Sequence, residues 1–285
     1  MDFLIARLHV DFGLFEEENK KDEIKKVFEL LGKESVILPL GNIEVILNKV
    51  ENISSEILFG KFIKIHNKEI NIINKESKKM GKEEVPNAYE ALNFYYHIKH
   101  FLLFIEEKPA YGLDRTKVAK YFSGLLLLGF KTFKDSYLGN SYIPDVDLTY
   151  LGDKIKLIEK INSFKSIFTA RFVLFPSNPS RRNWEEIDND LKNSNVEKRT
   201  IIDKAKPNGS LDYKKENTNV QAYITMVEDG YGEAKLQGLD ENNEKLTLNS
   251  NDLSERLTID KNDNKETILE KIQRKVSEIF ERNKK

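Results

Sequence analysis

The stretch "ARLHVDF", residues 6 to 12, holds Arg7, His9 and Asp11 at alternate positions. On a β-strand, residues i, i+2 and i+4 share a face at roughly 7 Å spacing, so these side chains form a row. Such a row can do acid–base chemistry, with Asp11 orienting His9 as a base and Arg7 holding an anion. It is equally the wet outer face of an edge strand, which needs no reaction to explain it.

A second chemistry is suggested by Glu-x-Lys, which occurs as "EEK" (106–108) and as "EAK" (233–235). In metal-dependent nucleases carboxylates hold Mg²⁺ and a lysine helps position the attacking water. No acidic residue stands on a preceding strand before Glu106, whereas Asp145 and Asp147 can supply carboxylates to Glu233 and Lys235. In so charged a chain the tripeptide also recurs by chance. His97 and His100 are three apart, a spacing that joins metal ligands on a helix but separates them on a strand. The flanking "FYY" and "FLLFI" predict a strand. Both histidines, and the isolated His66, are therefore expected to be structural, and no metal ligands are assigned.

"PSNPSRRNW" (176–184) is the most site-like stretch of the second half. Its prolines fix the approach to a helix N-terminus, Arg181 and Arg182 add charge, and Trp184 can stack a base. The plainer alternative is a capped helix start with two solvated arginines and Trp184 in the core. "EDGYGEAKLQG" (228–238) has Gly-x-Gly but neither Gly-Lys-Ser/Thr nor a following helix, so it predicts a hairpin with Tyr231 exposed at its tip.

These residues must be positioned by a fold, and the composition bounds it. The chain has 285 residues, 39% hydrophobic and 33% charged, with 46 basic against 47 acidic side chains and no cysteine. A real core is affordable, and no global field recruits nucleic acid or anionic membrane, so any such partner needs a local patch. Without cysteine there are no disulfides, thiol nucleophiles or Cys-built zinc sites. Asp2 and Arg7 interrupt the first apolar run, unlike a signal peptide, and "FLLFI" and "GLLLLGF" fall short of the roughly 20 apolar residues of a membrane span. A cytoplasmic protein is expected. The abundant Asn, Lys and Ile match an AT-rich genome, which suggests a low-GC bacterium or its mobile elements.

Alternation predicts a first strand from Leu4 to Phe12, with Leu4, Ala6, Leu8, Val10 and Phe12 inward. Ile24, Val27, Phe28 and Leu31 predict a helix stopped by Gly32. Short β runs follow at 35–40, 43–50, 60–66 and 69–73, with a turn at Asn67-Lys68 and a mobile loop over 77–87. Residues 93–108 predict one long central strand ending at Pro109, followed by a helix from near Asp114 to about Gly129 with Val118, Phe122, Leu125 and Leu126 inward. A β segment at 143–151 leads to a helix with Ile155, Ile158 and Ile161 on one side. The second half predicts a strand at 170–175, a helix opened by an Asn183/Glu186 capping box, and a further segment at 196–205. Three antiparallel strands over 220–249, turning at Asp229-Gly230 and Asp240 to Asn243, precede a C-terminal amphipathic helix from about Lys265. The class is α+β: two sub-domains, 1–165 and 166–285, with antiparallel sheets, each packed by one or two helices.

An N-terminal strand like "FLIARLHVDF", a central "NFYYHIKHFLLFIEE" followed by "RTKVAKYF", and the "RFVLFPSNPS" break give the chain a familiar layout. It resembles an uncharacterised group of bacterial proteins linked to phage, plasmid and phage-resistance loci. The resemblance implies a cytoplasmic role in defence or mobile-element biology and carries over no catalytic residue. The leading expectation is a defence-linked or mobile-element-linked protein that binds nucleic acid or a partner protein, with no membrane involved. The alternative is a nuclease, metal-dependent through Glu233 and Lys235 or His-based through Arg7, His9 and Asp11. Mg²⁺ enters only with that alternative, and no other cofactor is assigned. A third reading is a structural subunit that completes its fold beside a partner.

Overall fold

The elements run β1 (Asp2–Asp11), α1 (Lys20–Glu34), β2 (Leu38–Leu40), β3 (Ile43–Asn52), β4 (Ile57–Ile73), β5 (Met80–His97), β6 (Leu102–Glu106), α2 (Arg115–Phe133), β7 (Asp145–Tyr150), α3 (Lys154–Asn162), β8 (Phe164–Leu174), α4 (Glu185–Asn193), β9 (Arg199–Lys204), α5 (Thr218–Glu228), β10 (Gly232–Asp240), β11 (Lys245–Asn249), β12 (Arg256–Thr258) and α6 (Lys265–Glu281). This computed structural model describes residues 1–12, 20–73, 80–108, 114–133, 143–176, 184–213 and 218–281, without the side chains of 68–84 and 218. Among the described residues the class is α+β, with two antiparallel sheets. No described helix is long and apolar enough to cross a membrane. Two compact units interleave in sequence: Met1–Gly13, Leu102–Phe104 and Leu148–Lys285 form one, Leu14–Phe101 and Ile105–Asp147 the other.

In the second of these units β2, β3, β4 and β5 pair in sequence order, antiparallel throughout. α1 and α2 present Phe28 and Phe122 to the sheet residues Phe62, Phe94 and Tyr96. Phe28 stacks on Tyr96 at 4.6 Å, and Phe122 meets Phe94 edge-on at 5.3 Å. These rings are fully buried, which makes them the main apolar cement of the unit. Gly32 lies inside α1 and does not stop it: a Cβ there would sit 2.5 Å from Val50 Cγ2, so its role is close helix–sheet packing. β4 runs straight through Asn67-Lys68, and residues 80–87 are strand instead of loop. The turn signal marks a bulge, because His66 pairs with Ala88 and Lys68 with Val85, leaving Pro86 and Asn87 opposite Asn67. A bulge tolerates a proline with no N–H to give. The long strand expected over 93–108 is broken by a 3-10 turn at Ile98–His100 and by Phe101 at φ 54°. Pro109 lies outside the described residues.

The other unit holds β1 between β12 and β6, with β7 also paired to β1. It therefore has no free outer edge, and every residue from Phe3 to Leu8 is buried. Its second sheet runs β11-β10-β8-β9. One face of that sheet sends Ala170, Phe172, Leu174, Ala234, Leu236 and Leu248 into a core with Leu157 and Ile161 of α3, Leu191 of α4 and Met226 of α5. In α3 the inward pair is Leu157 and Ile161, at i and i+4, while Ile155 and Ile158 are exposed. Asn183 lies outside the described residues; Trp184 is the N-cap of α4 and its side chain makes no capping hydrogen bond. Residues 218–228 form a helix where a strand was expected. Val220, Ala222, Ile224, Met226 and Val227 are all buried, so burial on several sides erases the period that separates helix from strand. The hairpin at Asp240 to Asn243 is as expected: Asp240 Oδ1 accepts from the N–H groups of Asn242 and Glu244, and Asn243 takes φ 61°.

Candidate functional site

The helix α5 ends in a Schellman turn. The Gly230 N–H donates to Val227 O (3.2 Å) and the Tyr231 N–H to Met226 O (2.7 Å), with Gly230 at φ 75°, a conformation that favours glycine. The next carbonyls are taken by β1. Arg7 Nε donates to Asp229 O at 2.8 Å, and His9 Nε2 lies 2.8 Å from Gly230 O. A carbonyl only accepts, so His9 carries its proton on Nε2. The Arg7 guanidinium lies 4.3 Å from the Tyr231 ring centroid, and the His9 ring stacks on Phe175 at 4.7 Å. A cation at a helix C-terminus and over an aromatic face is doubly favoured. Tyr231, expected at an exposed tip, is buried and touches Trp184 at 5.4 Å. Of the predicted row, Arg7 and His9 converge on this turn, and Asp11 stands at the exposed end of β1.

Glu233 and Lys235 lie on β10, both on the outward side of the second sheet, where Asn251 Nδ2 contacts Glu233 Oε1 at 3.4 Å. Cross-strand register sets their neighbours. Lys235 faces Arg171 of β8, which faces Ile202 of β9; one row along, Gln237 faces Thr169, which faces Lys204. Arg171, Lys204, Lys235, Gln237 and Ile202 are exposed. Arg171, Lys204 and Lys235 thus set three cations on this face beside the carboxylate of Glu233, with exposed Lys245 of β11, opposite Leu239, a fourth. None of the first three forms an ion pair with a described residue, in contrast to Lys192 on Asp188 or Arg199 on Asp190. Arg171, Ile202 and Lys204 were not singled out from sequence. The strand was expected to begin at Ala170, which hid the three-strand register that gathers these side chains.

The remaining predicted residues are dispersed. Arg181 and Arg182 lie outside the described residues, while Trp184 is 2% exposed and belongs to the core. His97 ends β5 and His100 closes the 3-10 turn that follows it, and this bend, in place of a continuous strand, lets their rings stack at 5.0 Å. Burial holds His97 below the ordinary imidazole value, against the partly opposing pull of Glu56. His66 Nε2 lies 3.9 Å from Glu90 Oε1. Glu106 is buried, and its Oε2 accepts from Asn93 N (3.0 Å), Asn93 Nδ2 (2.8 Å) and Lys108 Nζ (2.8 Å). Among the described residues no group of three or more His, Asp or Glu is placed to hold a metal ion.

No curated protein matches the chain at a significant level. A family profile does match, over residues 16–277, which leaves out only the first 15 and last eight positions. The chain belongs to the family described as a domain of unknown function, DUF4747.

Proposed function

We propose that this protein binds nucleic acid through the outward face of the sheet β11-β10-β8-β9, in a bacterial defence or mobile-element setting within the cytoplasm. The observation that carries the reading is the set Arg171, Lys204 and Lys235: exposed, on three adjacent strands roughly 5 Å apart, and with no described acidic partner. Cations left unpaired on one face are the local patch that a chain with balanced charge needs to attract a polyanion.

The test is fluorescence anisotropy with labelled DNA and RNA over a salt series. Wild type should bind with salt-dependent affinity. The triple variant R171E/K204E/K235E should bind at least about 100-fold more weakly, with a salt slope reduced by about 0.7–0.9 per lost phosphate contact. Absence of salt-sensitive binding by wild type to any of these probes overturns the reading. The metal-dependent nuclease alternative is favoured by one observation, that Glu233 and Lys235 share this same face. Incubating the labelled probes with Mg²⁺ or Mn²⁺ separates the two: cleavage lost in Glu233→Gln supports the nuclease, and intact probe supports binding alone.

A further inference from the structure

We infer that the nucleic acid taken by this face is single-stranded, and that Phe168 is the platform on which one of its bases stacks. The inference rests on the binding reading above and adds the substrate class.

Phe168 is an exposed aromatic residue that the regular alternation of β8 would not put here. Thr169 pairs with Gln237 and Ile167 with Gly238, so Phe168 has no residue opposite it on β10. This is a β-bulge. Ile167 and Ala170 both enter the core, and the two residues between them, Phe168 and Thr169, lie on the other side. The bulge is fixed by Gly238: a Cβ there would sit 1.9 Å from Ser166 O, so only glycine lets the two strands approach. The result is a phenyl ring 42% exposed beside β9, whose continuation donates Ala205 N–H to Phe168 O at 2.8 Å. Ile202, 55% exposed and paired with Arg171, extends the apolar surface.

An exposed aromatic among cations on a flat sheet matches the chemistry of an unpaired base with its phosphates. In a duplex both faces of each base are covered by neighbours, so a ring on the protein has nothing to stack on; in a single strand the face is free. Stacking is sequence-tolerant, and the cations contact only the backbone, so the face should show little base preference. An acidic peptide would satisfy Arg171, Lys204 and Lys235 but would not require the ring.

The experiment compares a short single-stranded oligonucleotide with its duplex at one salt concentration, using wild type, F168A, F168L, F168Y and F168W, each checked for an unchanged melting temperature. Wild type should prefer the single strand. F168A and F168L should both lose roughly 5- to 150-fold for the single strand, with duplex affinity unchanged, and F168Y should retain affinity. In F168W the new indole should be quenched by the single strand, whereas the buried Trp184 of wild type should not. Equal affinity of wild type for both probes, or F168L binding like wild type, overturns the single-strand inference and leaves the binding reading standing if the triple charge variant is still weakened. Displacement of the oligonucleotide by polyglutamate at equal charge concentration also overturns it, in favour of an acidic protein partner. Wild type binding neither probe removes the underlying reading itself.

Discussion

Two sets of cationic and ring side chains sit on strands of the same compact unit and differ in what surrounds them. On β1, Arg7 is 2% exposed and its Nε–H is directed at a helix-terminal carbonyl, with Tyr231 under its guanidinium. On β8, Arg171 is exposed, lies between Lys235 and Ile202, and meets no described acid. The first arginine completes the fold by satisfying an orphan carbonyl at the end of α5. The second has no such partner among the described residues, and in the proposed function its hydrogen-bonding capacity serves nucleic acid. Residue type and strand position are alike; the presence of a partner within the fold is what separates the two.

The largest expected effect comes from breaking the first set. Arg7→Ala should lower unfolding stability by about 3 kcal/mol, since it removes a charged hydrogen bond and a buried cation–π contact. Urea melting measures this, and the folded variant should bind oligonucleotide as wild type does; unchanged stability with lost binding would reverse the contrast between the two arginines. Gly238→Ala should come next, at about 2 kcal/mol, because its methyl group must displace the Ser166 carbonyl or collapse the bulge. Loss of the preference for single strands should accompany it. His97→Gln tests the contrast between buried and exposed polar groups in the other unit. Burial lowers the folded-state value of His97, so the unfolded chain binds more protons as pH falls below about 6.5, and stability should drop there. Above that pH the group contributes no slope. The variant should flatten the acid limb of a thermal melt, and an unaltered limb would assign the acid sensitivity elsewhere. Arg171→Gln should have the smallest effect on folding, within about 0.5 kcal/mol, while still weakening oligonucleotide binding. A larger thermal shift would mean that the arginine is structural after all.

The α+β class was legible because apolar periodicities and turn residues are local. Val118, Phe122, Leu125 and Leu126 of α2 were read correctly as a buried stripe, as was the Asp240 turn. Elements failed where burial on several sides removed the period, as in α5, or where a turn signal marked a bulge, as at Asn67 opposite Pro86. The row Arg7, His9 and Asp11 was visible, but its partners at Asp229 and Gly230 lie more than 200 positions away and leave no trace in local spacing. The outward face was harder still. Lys235 was noticed for its neighbour Glu233, whereas Phe168, Arg171 and Lys204 acquire meaning only from the register of three strands. Gly238 was the one local hint, since an isolated glycine within a strand often marks a bulge.

The tie between β1 and the α5 terminus also dictates when this unit can mature on the ribosome. β1 is made first, yet its carbonyl contacts await residues 229 and 230, and its pairing with β12 awaits residues 256 to 258. β6 can pair with one edge of β1 once residue 106 is made, but at about 5–20 residues per second the edge that β12 covers stays open for roughly ten seconds to a minute of elongation. Contacts so distant in sequence also close slowly. A nascent chain paused before residue 256 should therefore leave the β12 edge of β1 open to proteases and chaperones, and synthesis past residue 258 should close that edge.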